Sequence, residues 1–222
     1  MDWNYWSYLI PDLLQATQDT LWMVVISTLF TVLFGLPLGV LLVITDRNGL
    51  FQLSWLHQIL GFIVNIGRSL PFIILLVAIT PFTRLMVGTT IGTSAAIVPL
   101  TVAAIPFFGR VSETSLREVD GGVVEAAKSM GCNNWQIIRK VLIPEALPSL
   151  ILGVTITIIS LIGYSAIAGA VGAGGLGDLA IRYGYQRFET PVMVVTVVLL
   201  IVLVQIIQWG GNRLARRLTR HA

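Results

Sequence analysis

LWMVVISTLFTVLFGLPLGVLLVIT, residues 21–45, runs for 25 residues without one charged side chain. A helix that crosses a bilayer needs about 20 predominantly apolar residues. The run therefore predicts a membrane span. Reading outward, four more such runs follow, at about residues 59–80, 91–111, 147–170 and 192–209. The chain as a whole agrees. It has 222 residues, 55% hydrophobic and only 11% charged, with a mean hydropathy of +0.85, whereas a soluble domain carries about a quarter charged residues. The expected fold is all-α: a single polytopic membrane domain, residues 1–222, of five transmembrane helices, with a polar segment at about 113–144 between the third and fourth.

The loops predict which way these spans run. Arg47, Arg110, Arg117, Lys128, Arg139, Lys140, Arg213, Arg216, Arg217 and Arg220 fall on one side, and only Arg84, Arg182 and Arg187 on the other. Lysine and arginine accumulate on the cytoplasmic side, so the C-terminus is expected inside and the N-terminus outside. The N-terminus, with Asp2, Asp12 and Asp19 and no basic residue, does not read as a signal peptide. Trp3, Tyr5, Trp6 and Tyr8 read as an interfacial belt, and Pro11 as the first position of a short leading helix.

Helix-loosening residues recur within the spans: Gly35, Pro37 and Gly39 in the first, Pro71 in the second, Pro99 and Pro106 in the third. Close helix packing accounts for them, with Gly35-x-x-x-Gly39 as a contact face. Together they favour a bundle that moves.

The segment EAAKSMGCNNWQIIRKVLIP, residues 125–144, interrupts this apolar chain. Val123, Val124, Ala127 and Met130 recur at helical spacing, and Gly131 ends that helix as a C-terminal glycine does. Asn133 caps a second helix, with Gln136 completing a capping box. Trp135, Ile138 and Leu142 form its expected apolar stripe, and Pro144 is expected to end it. Glu125, Lys128, Arg139 and Lys140 are then left to water or a partner, and the small Ala126 and Ala127 permit close approach. By periodicity alone, an amphipathic helix resting on lipid headgroups fits equally well.

Spacing separates the two readings. Glu125-Ala126-Ala127, then Gly131, then Val141-Leu142-Ile143-Pro144 resembles the EAA signature of bacterial ABC importer permeases, in which the last part reads I-x-L-P; Val141 and Ile143 replace its isoleucine and leucine. NIGRSLPFIILL (65–76), PFTRLMVGTTIG (81–92), AAIVPLTVAAIPF (95–107) and GYSAIAGAVGAGGLG (163–177) look like the permease subunits of methionine ABC importers. The resemblance covers nearly the whole chain after its first twenty residues. It implies a permease homodimer in the bacterial inner membrane. Glu125, Ala126, Ala127, Gly131 and Pro144 would couple it to two ABC ATPase subunits, which bind ATP and magnesium. A periplasmic or lipid-anchored methionine-binding protein would deliver the solute, and import would proceed by alternating access. No cofactor, metal or nucleic acid is expected of this chain, and L- against D-methionine stays open. The chain has no G-x-x-x-x-G-K-[ST] phosphate loop, so it is not expected to hydrolyse ATP itself.

Other residues carry weaker signals. Arg68 either marks the cytoplasmic end of the second span, snorkelling to the headgroups, or contacts the solute route. Tyr164, Ser165 and Ile167 are candidates to line the pathway, Ile167 as a constriction, against ordinary helix packing with Ser165 bonded to its own backbone. Gly172, Gly174 and Gly177 match G-x-G-x-x-G, but after a span rather than a strand, which favours a tight loop over a dinucleotide site. Cys132 reads as inert, His57 as a loop residue, and His221 as part of a solvated tail. A membrane-embedded enzyme would need acids or a Ser-Lys pair in the bilayer, and no Asp or Glu falls within the five runs. A purely structural scaffold would not need the helix–glycine–helix segment. Among importers, a cationic solute would favour pathway carboxylates; another small amino acid or apolar solute is the alternative to methionine.

Overall fold

The computed structural model describes residues 3–219, and every regular element among them is helical. Asp2, Arg220 and His221 lie outside the described residues, as do the side chains of Trp3, Tyr5 and Tyr8. The elements are α1 (Trp3–Ile44), α2 (Ser54–Ser69), α3 (Phe72–Ala78), α4 (Thr80–Val87), α5 (Thr93–Arg117), α6 (Gly121–Ser129), α7 (Asn134–Ile137), a π turn (Ile138–Leu142), α8 (Ile143–Gly169), α9 (Gly175–Leu179), a second π turn (Ala180–Tyr185) and α10 (Thr190–Thr219). Among the described residues, four stretches are long and apolar enough to cross a membrane: Leu9–Ile44, Thr93–Arg117, Asn134–Gly169 and Thr190–Thr219. Ser54–Ser69 with Phe72–Ala78 makes a fifth if counted as one broken span. The break has a local cause: Pro71 precedes α3 with extended backbone, φ −58° and ψ 133°, and a residue before proline avoids helical angles.

Two other prolines behave differently from the expectation. Pro11 does not begin a short helix; α1 passes through it without interruption. Nor does Pro144 end the helix that Asn133 caps. The π turn Ile138–Leu142 intervenes, with the Ile143 N–H bonded to Ile138 O, and starts a new hydrogen-bond register. Pro144 then sits at the second residue of α8, where its missing N–H costs little.

The chain forms two compact units. The first comprises Met1–Phe30, Leu70–Ala103 and Ile158–Ile207. Its core joins Leu9, Leu13 and Ala16 of α1 to Leu176 and Leu179 of α9 and Val192 of α10. The glycine loop before α9 is pinned on both sides. Leu176 N–H donates to Thr20 Oγ1 (2.9 Å) and Gly92 N–H to Gly172 O (2.9 Å). Gly172, Gly174 and Gly175 take φ of +92°, +82° and +78°, which side chains resist, and a Cβ at Gly177 would collide with the backbone of Ala166 on α8. This is the tight loop the glycines predict.

The second unit comprises Thr31–Ser69, Ala104–Thr157 and Gln208–Ala222. Here Gly35 and Gly39 face α5. A Cβ on Gly39 would stand 2.8 Å from Gly109 O, and one on Gly35 2.9 Å from the Phe108 ring, so the small-residue face lets the two backbones approach. Below this contact a second core gathers Ile44, Leu116, Ala127, Ile137, Ile138, Leu142, Ala146 and Leu150. This core carries the segment described next.

Candidate functional site

The helix–glycine–helix segment is built almost wholly by local rules. The Asp120 carboxylate accepts from Gly122 N–H at 2.8 Å and caps the start of α6. At the other end Gly131 takes φ +81°. Gly131 N–H then donates to Lys128 O (2.9 Å) and Cys132 N–H to Ala127 O (3.1 Å). That pair of bonds is the Schellman arrangement for closing a helix. Two residues later Asn133 and Gln136 form the expected capping box, Gln136 N–H donating to Asn133 Oδ1 (2.8 Å) and Asn133 N–H to Gln136 Oε1 (2.9 Å). Asn134 Nδ2 donates to Leu50 O (3.4 Å), tying the second helix to the loop after α1.

Burial decides which face is offered. Ala127, Ile137, Ile138 and Leu142 are buried in the second core, with Val124 and Cys132 partly covered. Glu125, Ala126, Lys128, Arg139, Lys140, Gly131 and Pro144 are exposed. Ala127 thus points inward and anchors the helix, while Glu125 and Ala126 point out. Val123, Met130 and Trp135 do not join the apolar stripes expected of them; they are 41%, 78% and 68% exposed. Trp135 is turned outward because its neighbours Ile137 and Ile138 take the core positions. A groove of about 240 Å³ runs beside α6, walled by Ile44, Leu50, Leu116 and Val124 and edged by Glu125 and Lys128.

One turn before this core, α5 holds a charge network that the sequence reading missed. Glu113 is 3% exposed. Its carboxylate accepts from Arg110 Nη1 (2.6 Å) and from Arg117 Nη2 and Nε (2.9 and 3.1 Å). Arg117 Nη1 reaches on to Asp46 Oδ2 (2.7 Å) and Arg110 Nη2 to Asn65 Oδ1 (2.8 Å). The network therefore fastens the loop after α1, the body of α2 and the end of α5. The Arg117 hydrogen bond holds the Asp46 carboxyl below its ordinary range, against the opposing effect of burial. The i, i+3 and i, i+4 register of Arg110, Glu113 and Arg117 was the available signal. His57, in α2, is held by Leu42 O at 2.9 Å from Nδ1.

The candidate pathway residues are placed as follows. In the first unit, Tyr164 stacks on Phe72 with ring centroids 4.7 Å apart. Ser165 is buried and donates to Ile162 O (2.8 Å), its own helix backbone. Ile167, two residues on, is 41% exposed. Arg68 belongs to the second unit, in the last turn of α2, and is exposed. Among the described residues no three of His, Cys, Asp and Glu gather into a metal-binding group.

Fold and site together define a polytopic α-helical membrane protein that carries a short helix–glycine–helix unit, exposed on one face and seated by the other on a dedicated core. Residues 35–220 match the family model of the binding-protein-dependent transport system inner membrane component, and the chain belongs to that family. It is 57% identical to the probable D-methionine transport system permease protein of Vibrio cholerae, over 96% of this chain and 95% of the relative. It is 47% identical to the methionine import system permease protein of Bacillus subtilis, over 91% of each chain. Its structure superposes with a TM-score of 0.94 on a chain of the MetNI methionine ABC transporter solved in inward-facing conformations, at 47% identity over 98% of this chain and 99% of that one.

Proposed function

We propose that this chain is the permease subunit of an ATP-driven importer that moves methionine into the cytoplasm by alternating access. The observation that carries the coupling half of this reading is the split of the EAA residues. Ala127 is locked into the second core while Glu125 and Ala126 face outward from a helix capped at both ends. A helix so fixed moves with its core rather than independently of it. The substrate half rests on the relatives named for methionine or D-methionine transport.

In this reading two copies form the pathway. Each presents Glu125 and Ala126 to a groove on a separate ABC ATPase, with Gly131 and Pro144 fixing the geometry of the turn and of the exit into α8. The ATPases bind ATP and magnesium, and a separate binding protein delivers methionine from outside. The N-terminus lies outside and the arginine-rich C-terminus in the cytoplasm. Ile167, exposed on α8, faces the solute route, flanked by Tyr164 and Ser165; Arg68 closes α2 at the cytoplasmic side.

Uptake of labelled L-methionine tests it, in cells stripped of their own methionine importer and supplied with this chain, its ATPase and its binding protein. Saturable uptake that disappears when this chain is omitted is the expected result, with unlabelled D-methionine as a competitor. Uptake equal with and without the chain would overturn the reading.

A further inference from the structure

Along α10 one face changes character in a regular way. Val198, Val202 and Ile206 are 50%, 47% and 63% exposed, Trp209 is 66% exposed, and Arg213, Arg216 and Arg217 follow on the same helical stripe, all exposed. Hydrocarbon, aromatic ring, then cation is the order in which a bilayer presents acyl chains, interface and headgroups. The rest of the chain covers little of this helix: only 11% of its most apolar stretch is buried, against 28–44% for the other three long spans.

Among the described residues, Arg213, Arg216 and Arg217 have no acidic partner at ion-pair distance. The four ion pairs among the described residues use Arg110, Arg117 and Arg182. Arg213 instead lies over the Trp209 ring, 5.4 Å from its centroid. Asn212 accepts from Gln208 Nε2 through its Oδ1 (3.0 Å), which leaves its own NH₂ group to donate. Glu118 lines an adjoining groove with Arg216, makes no ion pair with it, and accepts from Ser149 Oγ at 2.8 Å. Trp209, Asn212, Arg213, Arg216 and Arg217 together line a concavity of about 320 Å³. It offers three guanidinium forks and an amide donor, with an aromatic floor toward the hydrocarbon. A phosphate ester accepts from guanidinium in bidentate fashion.

We propose that Trp209, Asn212, Arg213, Arg216 and Arg217 form a binding site for the phosphate headgroup of an anionic phospholipid in the leaflet at the C-terminal end of α10. A protein partner would not require the aromatic and apolar continuation of the same stripe; a lipid does.

Native mass spectrometry of the full chain, purified in the complex with its ATPase, reads the site directly. The sample is titrated with phosphatidylglycerol and, separately, with zwitterionic phosphatidylcholine. Wild type should retain phosphatidylglycerol preferentially. Each arginine at an anionic surface is worth roughly five-fold in affinity. R213Q/R216Q/R217Q should therefore weaken retention by on the order of a hundred-fold, and R217Q alone by about five-fold. Lysine at all three positions should keep most of the preference, and the charge-matched R84Q/R182Q/R187Q should keep all of it. The intact mass of the complex reports folding in the same spectrum. Equal retention of the two lipids by wild type, or undiminished phosphatidylglycerol retention in R213Q/R216Q/R217Q or in R217Q, would overturn the site. So would burial of the arginines by the ATPase with lipid excluded.

Discussion

Glu113 shows how a chain so poor in charge can hold one out of water. A buried carboxylate is tolerable only when paired and hydrogen-bonded, and it receives three N–H bonds from two arginines. Either arginine alone still neutralises it, so Arg110→Met and Arg117→Met should each be mild. The double variant strands the acid and should cost more than the sum, about 3–5 kcal/mol, measured by thermal unfolding in detergent. Asp46 gives a pH signature. Its folded pKa is lowered by Arg117, so its contribution to stability is present above the unfolded carboxylate pKa of about 4 and fades as pH falls through the depressed value. Wild type should melt above Asp46→Asn at pH 7, and the gap should close in strong acid. Glu125 is exposed at the edge of the groove beside α6 and makes no side-chain bond among the described residues; Glu125→Arg should abolish methionine uptake while the melting temperature stays within a degree or two of wild type. These residues were unequally legible. The Arg110-Glu113-Arg117 spacing is local and visible in the sequence. Asp46 and Asn65 are not, because their partners lie 71 and 45 residues away and nothing local links them.

At the scale of elements, the segment from Glu125 to Gln136 could be read from the sequence because its boundaries are made by residues three to five apart, whereas the Asp120 cap was not read. The glycine terminator and the Asn133 box are such features, and both stand in the structure. What escaped is what depends on burial. Trp135 is expected on the apolar stripe with Ile138 and Leu142; Ile137 holds that place instead, packed in one core with Leu116 and Ile44. Pro144 was expected to stop a helix, and only the π turn before it explains why it does not. Gly131→Ala should destabilise by about 1 kcal/mol through backbone strain alone, since no atom lies within 4 Å of the added Cβ. Asn133→Ala should cost about 1 kcal/mol by loss of its cap. If the turn transmits force, both variants should lower methionine moved per ATP hydrolysed in reconstituted vesicles more than they lower the hydrolysis rate.

For the whole molecule, hydropathy alone located the long helices α1, α5, α8 and α10, since lipid solvation imposes a length and a composition that soluble folds do not. It could not say that the second run is two helices, because Pro71 permits either a kink or a break. Orientation is a claim about the entire chain, and labelling settles it. In a Cys132→Ser background, Thr89→Cys should react with an impermeant maleimide added outside to intact cells, and Ser129→Cys only after permeabilisation. The charge network around Glu113 also bears on how the protein is made. Asp46 and Asn65 leave the ribosome first, and the arginines that hold them are synthesised 71 and 45 residues later. At 5–20 residues per second that is a wait of about 2–14 s. During it, the loop after α1 and the whole of α2 are in or at the membrane with no polar partner from α5. A nascent chain stalled before Arg110 should therefore leave α2 free to slide back through the translocation machinery, and one stalled well beyond Arg117 should not. The arm of the network made last is thus the one that fastens the loop after α1 and the body of α2 to α5.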